Sequence, residues 1–407
     1  MNLTQARMRG NKFSLNDYRW LLSDAADRLL TELGSAQRDA HEGDVLRQAS
    51  SLRKHVSADR AHLLLEQLEL RRRGRIKFAL ADSMFFTPLG LEQATDEWVA
   101  GYKAQRYAPG EEVADLCCGI GGDLLTLARR GPVCGVDLGR VAALMARANA
   151  PSALVAVADV AMLRQPLPSW HIDPDRRSGG RRTTRAELYS PGPRTIETLL
   201  ATSPTGAIKL APAATFPMHW LETAECEWIS RAGVCRQLVA WFGRLADNPG
   251  RRRATLVIGR EQPPKYHTFI GAASEELAVA PRLGRYLAEP DAAVLAAGLV
   301  GSLAAATGLA AIAPGAVYLT GDTITSDPAL TWFEITDETA FNIRGLKVLL
   351  RDRRIGDLEI KKRGVDVDPA RLRQQLRTPG EERATLFLVR RGKTVTALLT
   401  RRQALLG

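Results

Sequence analysis

Over the first 80 residues, apolar positions recur at spacings of three and four. Leu15, Tyr18, Leu21, Leu22, Ala25, Leu29, Leu30 and Leu33 share one face of a predicted helix, with Gly34 as its expected stop. A second predicted helix starts near Ala58, keeps Ala61, Leu64, Leu65 and Leu68 on one side, and ends in Arg71-Arg72-Arg73-Gly74-Arg75. From residue 112 the period changes. Short apolar runs at 112–118, 132–136, 153–158, the stretch ending at Ile172, and 206–210 are separated by helical spacing, and further runs follow at 227–230, 238–242 and 254–258. Strands alternating with helices predict an α/β fold with a parallel, doubly wound sheet. Right-handed crossovers then bring every strand's carboxyl end to one edge.

The last part changes character. Runs at 332–335, 347–350, 357–360, 384–389 and 394–399 read as strands, and Asp368-Pro369 opens a helix through Leu376, with Asp368 as N-cap. This describes a small α+β module. The stretch 292–313 carries no charge and is long enough to cross a bilayer. It is rich in alanine and holds Gly298, Gly301, Ser302, Thr307 and Gly308, so its transfer energy is poor. It is expected to be a helix packed on a core, followed by a loop, and no membrane partner is expected.

The chain has 407 residues, with 45% hydrophobic and 25% charged, which suits a globular protein of two or three domains. Its formal net charge is +11, a balance that suits a polyanionic partner. Arginine and alanine are abundant, as a GC-rich genome would also produce, so the distribution of charge must decide. It concentrates in the last module, where Arg351, Arg353, Arg354, Lys361, Lys362 and Arg363 precede Arg371, Arg373, Arg377, Arg390, Arg391 and Lys393. A separate basic module is better evidence for nucleic acid than a basic whole. The five cysteines form no C-x-x-C pair and no Cys/His spacing of a metal site, so no metal is expected. A sparse, odd set fits a reducing compartment, and the N-terminus has no apolar core of a signal peptide, so a cytoplasmic location is expected.

The chemistry centres on Asp115-Leu-Cys-Cys-Gly-Ile-Gly-Gly-Asp123. An apolar strand runs into Gly119, Gly121 and Gly122, and helical spacing resumes at Leu124, an arrangement that offers backbone N–H groups at the carboxyl edge of a sheet. The turn lacks the third glycine of the dinucleotide fingerprint and the Gly-Lys-Ser/Thr of a phosphate loop. Asp115, four residues before the first glycine, suits a ligand with a cationic head. Asp137, Asp159 and Asp173 end the next three predicted strands.

On these residues the chain resembles the class I S-adenosylmethionine-dependent methyltransferases, whose first motif matches Asp115 to Asp123. The resemblance implies S-adenosyl-L-methionine as cofactor, held by Asp115, Gly119 and Gly121, with Asp137 on the ribose hydroxyls and Asp159 at the adenine amino group. It implies that His171-Ile172-Asp173-Pro174 lies where the family's Asp/Asn-Pro-Pro-aromatic motif acts, so Asp173 and Pro174 are the expected catalytic positions. Phe86-Thr87-Pro88 resembles the segment that folds over the cofactor in the trimethylguanosine-synthase-like branch. Phe86 and Thr87 are therefore expected at the methionine end, while a plain helix start with Thr87 as N-cap stays open. The run from Asp357 to Pro369 resembles a THUMP-like domain. By analogy with RNA-binding THUMP domains this makes RNA the expected partner, with Lys361, Lys362 and Arg363 as contacts.

The resemblance thus implies a Rossmann-like doubly wound methyltransferase sheet between an N-terminal helical region and a C-terminal α+β THUMP-like module. The expected domains are residues 1–80 (helical), 81–262 (methyltransferase), 263–330 (connector with the alanine-rich helix) and 331–407 (basic, THUMP-like). One departure stands out. After Pro174 come Asp175-Arg176-Arg177-Ser178-Gly179-Gly180-Arg181-Arg182, with no second proline and no aromatic. A stacking partner would have to come from elsewhere, for example Tyr189 or Phe86. Arg176, Arg177, Arg181 and Arg182 instead suggest a clamp on phosphate or carboxylate, with a solvated loop as the other reading. Three functions stay open: methyl transfer to RNA, methyl transfer to a small anionic molecule or a protein, and a binding protein that keeps the fold without turnover.

Overall fold

The structure is a computed structural model that describes residues 12–38, 52, 54–178, 181–215, 217–261, 263–273 and 275–404. Two compact units emerge: Met1–Glu225, Leu238–Pro249 and Gly259–Lys265 form the first, and Cys226–Gln237, Gly250–Ile258 and Tyr266–Gly407 the second.

In the first unit, the strands that end in the predicted acids are β1 (Val113–Leu116), β2 (Val133–Asp137), β3 (Leu154–Val157) and β4 (Trp170–Ile172). They run parallel in the order β3-β2-β1-β4, and Gly206–Leu210 continues the sheet in parallel beside β4. Residues 238–242 then add an antiparallel strand. β1 is buried along its whole length, as expected of a central parallel strand covered on both faces. The chain leaves β1 toward β2 on one side and returns to β4 on the other, so the crevice beyond β1 and β4 is the switch point where ligands bind. The strict alternation of strand and helix fails at β3, which is followed by a single 3-10 turn, Val160–Met162.

The N-terminal helices are Leu15–Leu21, Asp24–Arg38 and Ala58–Gly74. The first stop falls at Leu22 and Ser23, not at Gly34. Ser23 Oγ donates to the Trp20 carbonyl at 2.7 Å, and the Ser23 carbonyl accepts the first bond of the next helix from Asp27. Gly34 stays helical, and a Cβ built there would stand 3.9 Å from Leu68 of the Ala58–Gly74 helix. Tyr18, Leu21, Leu30, Leu64, Phe78 and Phe86 share one apolar core with Ile120, Val141 and Met145. The helical lead is therefore packed onto the turn after β1 and onto the helix Arg140–Asn149.

The second unit holds a seven-stranded sheet. Its order is Ala310–Ala311, Leu319–Gly321, Tyr286–Pro290, Leu330–Ala340, Thr394–Arg402, Glu382–Arg391 and Ile355–Arg363. Strands of the expected connector thus belong to the same sheet as the C-terminal module. Residues 347–350, expected as a strand, lie in the helix Ile343–Asp352: Leu346 and Leu350 are buried one turn apart, and Asn342 caps the start by accepting from the Arg344 N–H at 2.9 Å. The uncharged stretch 292–313 forms two short helices, Ala292–Ala297 and Val300–Thr307, each stopped by a left-handed glycine, Gly298 or Gly308. No described helix is long and apolar enough to cross a membrane.

Candidate functional site

At the end of β1 the backbone turns sharply. Cys117, Gly119 and Gly121 all have positive φ, at 56°, 58° and 88°. A Cβ built on Gly119 would meet nothing within 4 Å, so this glycine leaves open space, whereas one on Gly121 would lie 3.2 Å from the Ala146 backbone. Gly119 N–H donates to Asp137 Oδ2 at 2.9 Å, and Gly139 N–H donates to Asp137 Oδ1 at 2.7 Å. The end of β2 and the glycine turn are thereby locked together. Around them lies a cleft of about 1060 Å³, lined by Asp115, Cys117, Gly119, Asp137, Asp173 and Arg176 among others, with Thr87 to Gly90 and Phe13, Tyr18 and Glu66 on its helical wall. That volume is at the upper end of the roughly 300–1,000 Å³ typical of small-molecule sites.

Beneath the cleft runs a continuous chain of polar contacts. Asp115 Oδ1 accepts from His171 Nδ1 at 2.8 Å, and His171 Nε2 stands 3.1 Å from Lys103 Nζ. With Lys103 as an ammonium, which can only donate, His171 Nε2 accepts and its Nδ1–H donates to Asp115. Lys103 Nζ pairs with Asp123 Oδ1 at 2.7 Å, and Asp123 Oδ2 accepts from Thr95 Oγ1, also at 2.7 Å. Thr95 Oγ1 accepts from Lys209 Nζ at 2.8 Å, and Lys209 Nζ donates to Asp173 Oδ2 at 2.6 Å. Both lysines are buried. Burial lowers the Lys103 pKa even with Asp123 beside it. Burial alone would raise the Asp123 carboxyl, but Lys103, His171 and Lys209 together hold it well below the usual carboxylate range. The Asp115 carboxyl is pushed up, chiefly by burial.

Asp115 also tests the cofactor expectation. Its Oδ2 is buried and has no hydrogen-bond partner among the described residues. An orphaned carboxylate oxygen at the edge of a cleft calls for a donor, best a cation. The ammonium of a methionine moiety supplies one, so Asp115, the open Gly119 turn and Asp137 fit S-adenosylmethionine.

The other predicted positions divide. Thr87 lines the cleft and caps the helix Pro88–Gln93, accepting from Gly90 N–H at 3.0 Å. Phe86 does not line it. That ring is 1% exposed and packs on Phe78 with centroids 5.9 Å apart, so it serves the helical core and can neither lid the cofactor nor stack on a base. Tyr189 is likewise buried. Asp159 is exposed, off the cleft lining, and caps the turn after β3 by accepting from Ala161 N–H at 2.9 Å. Pro174, Asp175, Arg176 and Arg177 line the cleft beside Asp173. Arg177 pairs with Glu92 at 3.0 Å, whereas Arg176 has no ion pair among the described residues. Gln93 Nε2 donates to Asp175 Oδ1 at 3.3 Å, tying the helix Pro88–Gln93 to this loop. The side chains of Arg181 and Arg182 lie outside the described residues.

In the second unit Lys361 is half-buried, paired with Glu289 and set over the Phe333 ring at 5.4 Å. Its charge is already matched, while Lys362 and Arg363 are exposed. The residues that sequence reasoning missed are Thr95, Lys103, Asp123, His171 and Lys209. A signal was present: Lys209 sits inside the apolar run Gly206-Ala-Ile-Lys-Leu, and a lysine in a buried strand needs a partner.

Comparison with known proteins gives three findings. A family model described as THUMP domain-like matches residues 330–402, and one described as a domain of unknown function matches residues 14–74. Two Mycobacterium tuberculosis proteins, from strains CDC 1551 / Oshkosh and H37Rv, are named as uncharacterized S-adenosylmethionine-dependent methyltransferases. Each is 34% identical over 350 residues, which is 82% of this chain and 94% of the relative. A Porphyromonas gingivalis W83 crystal structure described as a methyltransferase superposes with a TM-score of 0.70 at 20% identity, covering 90% of this chain and 99% of that one, and shows the same fold.

Proposed function

This chain belongs to the S-adenosylmethionine-dependent methyltransferases, and from that premise we propose that it methylates RNA. S-adenosylmethionine is the methyl donor and supplies an electrophilic methyl carbon on a sulfonium. We assign its binding to Asp115, Gly119, Gly121 and Asp137, and the acceptor site to Asp173 and Pro174. In-line transfer needs mainly alignment, which suits a site whose charged groups are already fixed by one another.

The observation that carries the RNA reading is the basic face of the second unit. On the helix Ile343–Asp352, Arg344, Lys347 and Arg351 share one stripe at spacings of three and four, all exposed and with no ion pair among the described residues. Arg373 and Arg377, four apart around the end of the helix Pro369–Leu376, are exposed as well. Unmatched charge on a surface is available to a polyanion. The THUMP domain-like match over residues 330–402 supports the same partner class. At the cleft, Arg176 is the arginine we assign to a substrate phosphate, because Arg177 is engaged by Glu92.

The test is transfer of radiolabelled methyl from S-adenosylmethionine into the RNA, protein and small-molecule fractions of cells lacking this protein. Label in RNA is the expected result, and digestion to nucleosides then identifies the base. Label confined to the small-molecule or protein fraction would replace RNA as substrate and favour Arg176 as a carboxylate or phosphate contact for a small anion.

A further inference from the structure

Asp173 reaches the cleft with its two oxygens in different states. Oδ2 is taken by Lys209 Nζ at 2.6 Å, while Oδ1 has no hydrogen bond among the described residues. Lys209 cannot turn away. It comes from the middle of a fully buried strand, and its second bond goes to Thr95, which is itself anchored to Asp123. Asp123 is held in turn by Lys103. The Lys209–Asp173 pair is thus oriented by side chains that hold one another in place, of which Thr95 and Asp123 also line the cleft.

We propose that Lys209 is the positioning residue of the acceptor site: it fixes Asp173 so that Oδ1 alone faces the substrate, and it thereby selects an acceptor that presents an N–H donor, an exocyclic amine or amide. This rests on the reading of Asp173 as the acceptor-binding carboxylate and holds whether the acceptor is RNA or another molecule.

The chemistry follows from the pairing. With Oδ2 held by Lys209, Asp173 has one oxygen left to accept a single donor from the acceptor molecule. A neutral amine offers such a donor and needs no proton removed before its lone pair attacks. Its nitrogen lone pair forms the bond to the donor's methyl carbon, the carbon–sulfur bond breaks with its electron pair on sulfur, and the surplus N–H proton leaves to Oδ1 or to water. Oδ1 has only to accept one N–H bond and aim the lone pair.

The same geometry makes position 173 an obligate carboxylate. Lys209 is donor-only. In Asp173→Asn the amide oxygen must therefore turn to Lys209, and the amide NH₂ then meets the substrate's N–H, donor against donor. If the lysine is removed as well, the amide can flip and present its oxygen.

The experiment compares wild type, Asp173→Asn, Lys209→Gln and the double variant in whichever fraction wild type labels, with cofactor affinity measured by calorimetry as a separate readout. Expected are a loss of at least 100-fold in kcat for Asp173→Asn with cofactor affinity unchanged, and recovery of at least 10-fold over that value in the double variant. The labelled product should carry its methyl on nitrogen. Lys209→Met serves as the second lysine variant if Lys209→Gln fails to fold. A double variant as inactive as Asp173→Asn, with cofactor binding intact, would overturn the proposal by making Asp173 a general base. So would label recovered as a ribose methyl ether or a carbon-bound methyl. If label appears only outside RNA, the RNA reading falls and the comparison of variants still decides this one; label in no fraction would overturn both.

Discussion

In the first unit Lys103 and Lys209 are buried, and each is held by two side chains. In the second, Lys347 and Lys362 are exposed and no ion pair among the described residues engages them. One residue type serves opposite ends. Out of water, an ammonium is expensive unless its bonds are made, and once they are made it becomes a rigid fixture that can aim a neighbouring carboxylate. In water it costs nothing to leave unpaired, and it adds to a field that a polyanion senses. A net charge of +11 therefore conceals two populations: the lysines of the cleft floor are matched by Asp123 and Asp173, and the surplus lies outside.

The sharpest way to break this contrast is to remove a buried lysine. Lys103→Met leaves Asp123 buried with one cation fewer, and such an uncompensated charge costs roughly 3–5 kcal/mol. The unfolding free energy extrapolated from urea titrations should drop by that amount, and the double variant Lys103→Met/Asp123→Leu should regain more than half of it. The pH dependence has a definite sign. Asp123 is an acid whose folded pKa lies below its unfolded value. Its contribution is present above the ordinary aspartate pKa of about 3.9 and is lost as pH falls below it. In wild type the acid limb of the stability curve should therefore be steep, and in the double variant it should flatten. Equal acid sensitivity in both proteins would show that the buried pair does not control it.

Charge reversal on the module tests the other side. Arg344→Glu, Lys347→Glu and Arg351→Glu together should leave stability within about 0.5 kcal/mol, as is usual for exposed positions. RNA affinity should fall more than tenfold. Losing three phosphate contacts should also flatten the slope of log affinity against log salt by roughly 2. Fluorescence anisotropy with a labelled tRNA or rRNA fragment at several salt concentrations reads both. Unchanged affinity and slope would remove this stripe from the RNA-binding surface.

How much of this was legible in the chain depends on how far apart the cooperating residues lie. Asp115, Gly119 and Asp137 could be read because strand, turn and helix are contiguous and each signals its own boundary. The Ala58–Gly74 helix was legible for the same reason. Asp173 was located by its place after the fourth strand, but its partner Lys209 is 36 positions away and Thr95 is 114 positions from that lysine, on another element. No local pattern joins them; the sheet order does. Asp159 failed differently: its position at the strand end was legible, but its side chain caps the single 3-10 turn after β3 and stays off the cleft lining. The strand expected at 347–350 failed because four residues are too few to separate a period of two from one of 3.6.

Cys117 offers the smallest effect. The apolar run was expected to continue through Cys118, yet β1 ends at Leu116 and Cys117 takes φ 56°. A residue with a Cβ pays roughly 1–2 kcal/mol for that conformation, while glycine adopts it freely at the cost of about 0.5–1 kcal/mol of unfolded-chain entropy. Cys117→Gly should therefore gain up to about 1 kcal/mol. Cys117→Val should lose more than that, since a β-branched residue is least tolerant of positive φ. Cys117 lines the cleft, so calorimetry with S-adenosylmethionine separates strain from contact. A stabilised Gly variant with unchanged affinity means that the turn, not the thiol, serves the site. Weaker binding alongside the gain in stability would make Cys117 a contact that holds a strained backbone in place, and would extend to this half-buried edge of the cleft the same trade of local cost for fixed geometry that the two buried lysines make beneath it.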